Sequence, residues 1–185
     1  MRHELILGGQ RSGKSRCAEQ RASAWLAKPG HSAVLIATAL AGDGEMRARI
    51  DRHRLDRARS VPELLTVEEP RELARAVRQH SAPTRLVVVD CLTLWMTNLL
   101  MPLQGDALDD AALGIETIAL RDILRAAPGP VLMVSNEIGL GVTPLTTSAR
   151  RFVDELGRLH QLVAQSCERV TLMVAGIEVS VKGQR

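Results

Sequence analysis

The chain has 185 residues, 45% hydrophobic and 24% charged, which is typical of one globular domain, and we expect a single domain spanning residues 1–185. A net charge of +3 and an aromatic content of 2% are too low to indicate nucleic-acid binding or a base-stacking surface. No apolar run has the length of a membrane span or a signal peptide, and the three cysteines form no CxxC pair, so we expect a cytoplasmic protein with reduced thiols.

Short apolar segments alternate with longer segments of helical character along the chain. The apolar segments predict strands at 5–7, 33–37, 64–67, 86–89, 131–134 and 170–174, with a short one around 179–181. The other segments predict helices at 14–27, 45–57, 69–79, 93–100, 110–126 and 147–166. This alternation predicts an α/β fold with a mostly parallel sheet flanked by helices. Ligands of such sheets bind beyond the carboxyl ends of the strands.

A glycine-rich segment follows the first predicted strand and opens the first predicted helix. It matches the phosphate-binding pattern G-x-x-x-x-G-K-[ST] in full, and it comprises Gly8, Gly9, Gln10, Arg11, Ser12, Gly13, Lys14 and Ser15. Its glycines let backbone N–H groups surround phosphates, and the helix N-terminus adds a partial positive charge. We predict a P-loop for a purine nucleoside triphosphate. Lys14 would act catalytically at the β- and γ-phosphates, and Ser15 would bind Mg²⁺.

Asp90 ends the predicted strand at 86–89. P-loop proteins place a second Mg²⁺ anchor at the end of an apolar strand, and we predict this role for Asp90, directly or through water. The alternative is a helix N-cap or a turn residue. The P-loop and Asp90 together predict an NTPase or a kinase without distinguishing between them.

The predicted helix at 45–57 opens a stretch unusually rich in arginine. Six arginines lie between Arg47 and Arg59, and Arg49, His53 and Arg57 share one face at helical spacing. One interpretation is a solvated, charged face. The other is functional: arginines would bind a triphosphate and favour the neutral imidazole through like-charge repulsion. A neutral imidazole beside an α-phosphate could attack it, form a covalent phosphoramidate and expel pyrophosphate.

Further motifs follow the P-loop in a fixed order. They are Ile36-Ala37-Thr38, Asp43-Gly44-Glu45-Met46, His53-Arg54, Thr66-Val67-Glu68-Glu69-Pro70, Asp90-Cys91-Leu92-Thr93-Leu94-Trp95, Asn136-Glu137-Ile138-Gly139-Leu140-Gly141 and Ala175-Gly176. Over nearly the whole chain, this set resembles the bifunctional adenosylcobinamide kinase / adenosylcobinamide-phosphate guanylyltransferase family of cobalamin biosynthesis.

The resemblance implies a two-step enzyme with a RecA-like P-loop fold, assembled as a homotrimer. Such an enzyme phosphorylates adenosylcobinamide with ATP or GTP, and then transfers GMP from GTP to adenosylcobinamide phosphate through a guanylyl-histidine. The position of that nucleophile is His53 here. The implied nucleotide contacts outside the P-loop are Ala37, Thr38, Ala39, Arg54, Leu55, Asp56, Arg57, Glu68 and Asp90.

The chain departs from the family pattern between residues 55 and 65. This segment is about three residues longer than usual, and Leu64 stands where the family has Trp. The change affects the contacts expected of Leu55 and Asp56, and Arg59 could replace Arg57. Val153 stands where Arg is frequent, and His160 stands where Asn is frequent.

Several remaining residues have more than one interpretation. Asn136 and Glu137 could line the cobinamide site, contact another subunit or form a plain strand-end turn. Trp95 and Met96 fit a core or a subunit interface, and Cys91 fits a packing thiol. The histidines without partners at ligand spacing are predicted at the surface; they are His3, His31, His80 and His160.

Two alternatives to the bifunctional transferase remain open from the residues alone. The first is a P-loop kinase of another small metabolite, with the arginine-rich helix closing over the nucleotide and no covalent intermediate. The second is a nucleotide-gated binding module that uses the same P-loop as a switch. Label on the α-phosphate of GTP distinguishes the first alternative from the transferase.

Overall fold

Seven strands form one sheet in the computed structural model, which describes residues 3–183. The strands are β1 (Glu4–Gly8), β2 (Ser32–Ala37), β3 (Leu65–Glu68), β4 (Arg85–Asp90), β5 (Val131–Asn136), β6 (Arg169–Val174) and β7 (Ile177–Lys182). The helices are α1 (Lys14–Leu26), α2 (Gly44–Ser60), α3 (Leu73–His80), α4 (Leu92–Leu100), α5 (Asp110–Ala126) and α6 (Thr147–Ser166). No helix in this part of the chain is long and apolar enough to cross a membrane.

The strands lie in the order β3-β2-β4-β5-β1-β6-β7. All neighbouring pairs from β3 to β6 are parallel, and β7 alone pairs antiparallel, with β6. Ala175 and Gly176 join β6 to β7, and both have positive φ angles, 51° and 81°, as a tight two-residue hairpin requires. The predicted α/β fold with a mostly parallel sheet is confirmed.

The register of the central strands brings their carboxyl ends to one edge of the sheet. Gly8 of β1 pairs with Asn136 of β5, while Asp90 of β4 pairs with Ala37 of β2. Glu68 ends the next strand and also pairs with Ala37. The predicted P-loop and the predicted metal-binding carboxylate therefore share this edge, with only β5 between their strands.

Two hydrophobic clusters cover the two faces of the sheet. Alternate residues of β4 illustrate the division: Val87 and Val89 belong to the larger cluster with α3, α4, α5 and α6, whereas Leu86 and Val88 belong to the smaller one with α1. Trp95 has no exposed surface and lies in the larger cluster. Met96 lies there too, so both residues belong to the core.

The predictions made for Glu69, His3 and His160 are wrong. The helix predicted from Glu69 begins at Leu73, because the Glu69 carboxylate accepts hydrogen bonds from the backbone N–H groups of Arg71 (3.0 Å) and Glu72 (2.9 Å) and forms a turn before the helix. His3 and His160 were predicted at the surface, but each is only 7% exposed.

Each of the two buried histidines has a polar partner inside the protein, which makes its burial tolerable. His3 Nδ1 accepts a hydrogen bond of 3.0 Å from the backbone N–H of Val131 at the start of β5. His160 Nε2 lies 2.7 Å from the hydroxyl of Ser135. The other two histidines of this prediction, His31 and His80, are partly buried.

Candidate functional site

The predicted P-loop has a backbone shape that depends on glycine at two positions. Gly8 has φ 154°, and a Cβ there would lie 2.6 Å from both Met173 O and Ser12 Oγ. Gly13 has φ 101°, and a Cβ there would lie 3.3 Å from the Cα of Gly176. The β6–β7 turn supports the loop from outside, because Gly176 donates a 2.9 Å hydrogen bond to Ser12 O.

Two polar side chains of the P-loop are buried and suited to phosphate. Lys14 is 8% exposed, and its ammonium group donates a 2.6 Å hydrogen bond to Gly9 O. Burial lowers the pKa of Lys14; the nearby Asp90 carboxylate opposes this shift, and the positive charge of Arg49 adds to it. Ser12 Oγ is buried without a hydrogen-bond partner among the described residues, so a phosphate oxygen would satisfy a group that is otherwise costly to bury.

Ser15 and Asp90 present adjacent oxygen atoms to the same space. Ser15 Oγ donates a 3.3 Å hydrogen bond to Asp90 Oδ2. A hydroxyl and a carboxylate are the oxygen ligands that Mg²⁺ prefers, and Mg²⁺ usually completes its shell with phosphates and water. The residues at 3–183 contain no group of three or more His, Cys, Asp or Glu side chains arranged for a metal, so a nucleotide would have to share in holding the ion. The pair fits Mg²⁺ on these terms.

Thr38 directly follows β2 and is fully buried, and its hydroxyl and carbonyl groups form hydrogen bonds inside the protein. Its hydroxyl donates to Cys91 O at 2.7 Å and accepts from Cys91 N at 2.9 Å. Its carbonyl accepts a 2.7 Å hydrogen bond from Asn98 Nδ2, which also donates to Pro70 O at 2.9 Å. The neighbouring predicted contacts Ala37 and Ala39 are partly buried beside it.

Helix α2 places most of its charged residues in solvent and turns one side inward. Asp43 caps its start by accepting a 2.7 Å hydrogen bond from Met46 N. His53 is partly buried, and Arg57, one turn later on the same side, is 8% exposed with its Nε lacking a hydrogen-bond partner among the described residues. The inner side of α2 therefore carries the predicted nucleophile and a guanidinium with unused hydrogen-bonding capacity.

The remaining predicted contacts lie on the outer part of the arginine-rich region. Arg54 forms an ion pair with Glu68, which links α2 to the end of β3. Leu55 is 60% exposed, and Asp56 is exposed beside it. Arg59 is exposed while Arg57 is buried, so the two arginines are not equivalent in position.

The structure also brings together four polar side chains whose association the sequence did not reveal. Thr93 Oγ1 lies 3.0 Å from Ser135 Oγ, Ser135 Oγ lies 2.7 Å from His160 Nε2, and His160 Nδ1 lies 3.6 Å from Glu137 Oε2. We call these four residues the polar chain. A signal for His160 was present, because Leu156, Leu159 and Val163 surround it at helical spacing and mark the buried side of α6.

Comparison with known proteins identifies the family of this chain. A model of the family described as cobinamide kinase / cobinamide phosphate guanyltransferase matches residues 4–181. The bifunctional adenosylcobalamin biosynthesis protein CobP of Pseudomonas aeruginosa is 49% identical over 98% of both chains. The bifunctional adenosylcobalamin biosynthesis protein CobU of Escherichia coli is 36% identical, over 96% of this chain and 98% of its own.

Among solved structures, the flagellar accessory protein FlaH of Methanocaldococcus jannaschii superposes with a TM-score of 0.53 at 11% identity, covering 99% of this chain and 79% of that one. A likeness at this identity concerns the fold alone. The family match and the two relatives extend over nearly the whole chain. The chain therefore belongs to the cobinamide kinase / cobinamide phosphate guanyltransferase family.

Proposed function

We propose that this chain phosphorylates adenosylcobinamide with ATP or GTP, and then transfers GMP from GTP to adenosylcobinamide phosphate to give adenosylcobinamide-GDP. The observation that carries this proposal is the pairing of a complete P-loop with an arginine-rich helix whose inner side holds His53. The ion pair between Arg54 and Glu68 connects α2 to the strand end beside Ala37, which supports a position of α2 next to the carboxyl ends of the strands.

In the first reaction, a hydroxyl oxygen of adenosylcobinamide attacks the γ-phosphorus. A new O–P bond forms, the bond to the β-phosphate oxygen breaks, and the nucleoside diphosphate leaves. Lys14 would neutralise charge on the β- and γ-phosphates, and the N–H groups of Gly8–Ser15 would orient them. Ser15 and Asp90 would hold Mg²⁺, which supplies further charge neutralisation at the phosphates.

In the second reaction, an imidazole nitrogen of His53 attacks the α-phosphorus of GTP and pyrophosphate leaves. A phosphate oxygen of adenosylcobinamide phosphate then attacks the same phosphorus, the P–N bond breaks, and GMP passes to the substrate. Arg57 supports this step because its buried Nε lacks a hydrogen-bond partner among the described residues, and a nucleotide phosphate would supply one.

We propose the remaining nucleotide contacts from the family resemblance and from their positions on α2 and at the ends of β2 and β3. Ala37 and Ala39 would contact the nucleotide with their partly exposed surfaces, the buried Thr38 would support them, and Glu68 and Arg54 would contact it as a charged pair. Leu55 and Asp56 would contact it from the exposed side of α2.

We also propose that the chain is cytoplasmic and assembles as a homotrimer. The assembly is supported by exposed apolar side chains in the loop after β5: Leu140 (83%), Val142 (96%) and Leu145 (95%). Sedimentation should then give three times the 20.1 kDa mass of one chain.

The test of the proposed function uses GTP labelled at the α- or the γ-phosphate. The wild-type chain should acquire a covalent, acid-labile and base-stable label from α-labelled GTP, and it should pass γ-label to adenosylcobinamide. His53→Ala should lose the covalent label and retain nucleotide binding. His80→Ala is the matched control, because His80 ends α3 and the chain then enters β4 at the opposite edge of the sheet.

Each outcome separates the candidate functions. Transfer of γ-label without any covalent α-label would indicate a P-loop kinase without a nucleotidyl intermediate. Neither label moving, with a partner protein bound only in the presence of nucleotide, would indicate a binding module. A covalent label that survives in His53→Ala would contradict the assignment of His53 as nucleophile.

A further inference from the structure

Glu137 directly follows the last residue of β5, and its backbone lies beside the P-loop. Its backbone N–H donates a 3.0 Å hydrogen bond to the carbonyl of Gly8, the first residue of that loop. It follows β5, and β5 lies between the P-loop strand β1 and the strand β4 that ends at Asp90. A carboxylate in this position lies between the P-loop and Asp90 at the carboxyl ends of the strands, where a phosphoryl acceptor must approach.

The Glu137 carboxylate is held in one orientation while one side stays open. Its Oε1 accepts a 2.7 Å hydrogen bond from Gly139 N, and its Oε2 lies 3.6 Å from His160 Nδ1. The side chain remains 21% exposed, whereas the residue that supports it, His160, is 7% exposed. The carboxylate therefore combines a fixed position with access from solvent.

With a neutral imidazole, the polar chain has one proton arrangement that satisfies all its members. Thr93 Oγ1 accepts a 2.7 Å hydrogen bond from Asn136 N, and its own proton can then be donated to Ser135 Oγ, 3.0 Å away. Ser135 then donates to His160 Nε2 at 2.7 Å. An Nε2 that accepts leaves the proton on Nδ1, which faces Glu137. The reverse arrangement would set a lone pair of His160 against a carboxylate oxygen.

The charge state of the imidazole agrees with this arrangement. Burial lowers the pKa of His160, and the neighbouring Glu137 carboxylate only partly opposes that shift. A neutral imidazole with its proton on Nδ1 presents that N–H to the Glu137 carboxylate, 3.6 Å away, without neutralising the carboxylate's charge. Glu137 consequently keeps its negative charge and unused acceptor capacity on its carboxylate oxygens, in a residue whose backbone bonds the first residue of the P-loop.

We propose that Glu137 is the catalytic base of the kinase reaction and that His160 is its positioning residue. The inference rests on the proposed kinase function. As the acceptor hydroxyl oxygen bonds to the γ-phosphorus, its proton passes to the Glu137 carboxylate, and the nucleoside diphosphate leaves. The exposed side of Glu137 then releases the proton to solvent. The guanylyl transfer needs no such base, because a neutral imidazole and a substrate phosphate are already nucleophiles.

The two activities of one chain give the test an internal control. Glu137→Gln preserves shape and removes the base, so it should lower kcat for phosphoryl transfer to adenosylcobinamide by about 100-fold. The KM for the nucleotide and the covalent labelling of His53 by α-labelled GTP should stay unchanged. A residue needed only for folding would lower both activities together.

A pair of substitutions at His160 tests the positioning role separately. Asparagine places its amide near the position of Nδ1, so His160→Asn keeps a donor for Glu137 and loses the contact with Ser135. Glutamine reaches the position of Nε2, so His160→Gln keeps the contact with Ser135 and loses the donor. We expect His160→Asn to retain kinase activity and His160→Gln to lower kcat for the kinase reaction, with covalent labelling intact in both.

The outcomes distinguish this inference from the function on which it rests. A wild-type chain that transfers no γ-phosphate contradicts the proposed function. A wild-type chain that transfers it, with Glu137→Gln equally active, overturns the assignment of Glu137 alone. Equal loss of both activities in Glu137→Gln, or greater loss of kinase activity in His160→Asn than in His160→Gln, would also overturn it.

Discussion

Gly8 and Gly9 are adjacent in sequence but differ in the space around them. A Cβ on Gly8 would lie 2.6 Å from Met173 O, whereas a Cβ on Gly9 would meet no atom within 4 Å. We expect Gly8→Ala to lower the free energy of unfolding by about 1–3 kcal/mol through overcrowding and an unfavourable φ, and Gly9→Ala to change it little. Urea denaturation without nucleotide measures both. Equal effects would mean that the loop relaxes around the added methyl group.

His160 should make stability depend on pH below neutrality. Burial holds its folded-state pKa below the unfolded-state value of 6.5, so the unfolded chain binds the proton first. The contribution is fully present above pH 6.5 and is lost as the pH falls through the lower folded-state value. The difference in unfolding free energy between the wild type and His160→Asn should therefore shrink from pH 7.5 to pH 5. A constant difference would contradict a neutral, buried imidazole.

The sequence reveals site residues to different degrees because some depend on local spacing and others on tertiary contacts. Gly8–Ser15 could be predicted because the whole motif lies on one strand–loop–helix connection. The hydrogen bond from Ser15 to Asp90 confirms the proximity predicted from strand ends. His160 was placed wrongly because its partners, Ser135 and Glu137, lie on another element, and ligand spacing along α6 cannot show them.

Helix α2 differs from the other helices in how little of it is buried. Among its 17 residues, Arg57 alone is buried. Backbone amides in helices with few buried contacts exchange through low-energy local opening. We expect hydrogen exchange in α2 to be much faster than in α4, where seven residues are buried, and to slow on addition of GTP, as the proposed role of the arginines requires. Protection of α2 equal to that of α4 without nucleotide would contradict this expectation.

Element boundaries were harder to predict than the elements themselves. The alternation of apolar and helical segments predicts every strand and helix found at residues 3–183, since that pattern reflects burial on the sheet. The start of α3 was missed because Glu69 has good helix propensity but uses its carboxylate to close a turn. The end of α2 lies at Ser60, three residues after the predicted end.

The three cysteines report on the integrity of the whole molecule. Cys17, Cys91 and Cys167 are buried and unpaired, and burial raises the pKa of each thiol to about 12. The thiolate is the reactive form, so we expect no rapid reaction with a thiol-specific disulfide reagent at pH 8, and reaction of all three in denaturant. Rapid modification of a thiol in the native chain would show that its part of the core opens.

The parallel character of the sheet could be predicted, but its strand order could not. Alternating strands and helices imply parallel pairing, because a crossover connection returns the chain to the same edge. The insertion of β5 between β1 and β4 depends on long-range packing of α4, α5 and α6 in the larger core cluster. That insertion brings Glu137 beside the P-loop, which residue spacing did not indicate.

Thr38 has a consequence for how the site distinguishes nucleotides. Its hydroxyl bonds both main-chain groups of Cys91, and its carbonyl accepts from Asn98. A purine base near this strand end would find no free hydroxyl on Thr38 to recognise. We predict that any preference for guanine over adenine comes from exposed polar groups such as the carboxylate of Glu68, whose side chain is 60% exposed. With Glu68 contacting the base and the P-loop contacting the phosphates, the choice of base and the strength of phosphate binding would belong to different side chains of this chain, and each could change during evolution without the other.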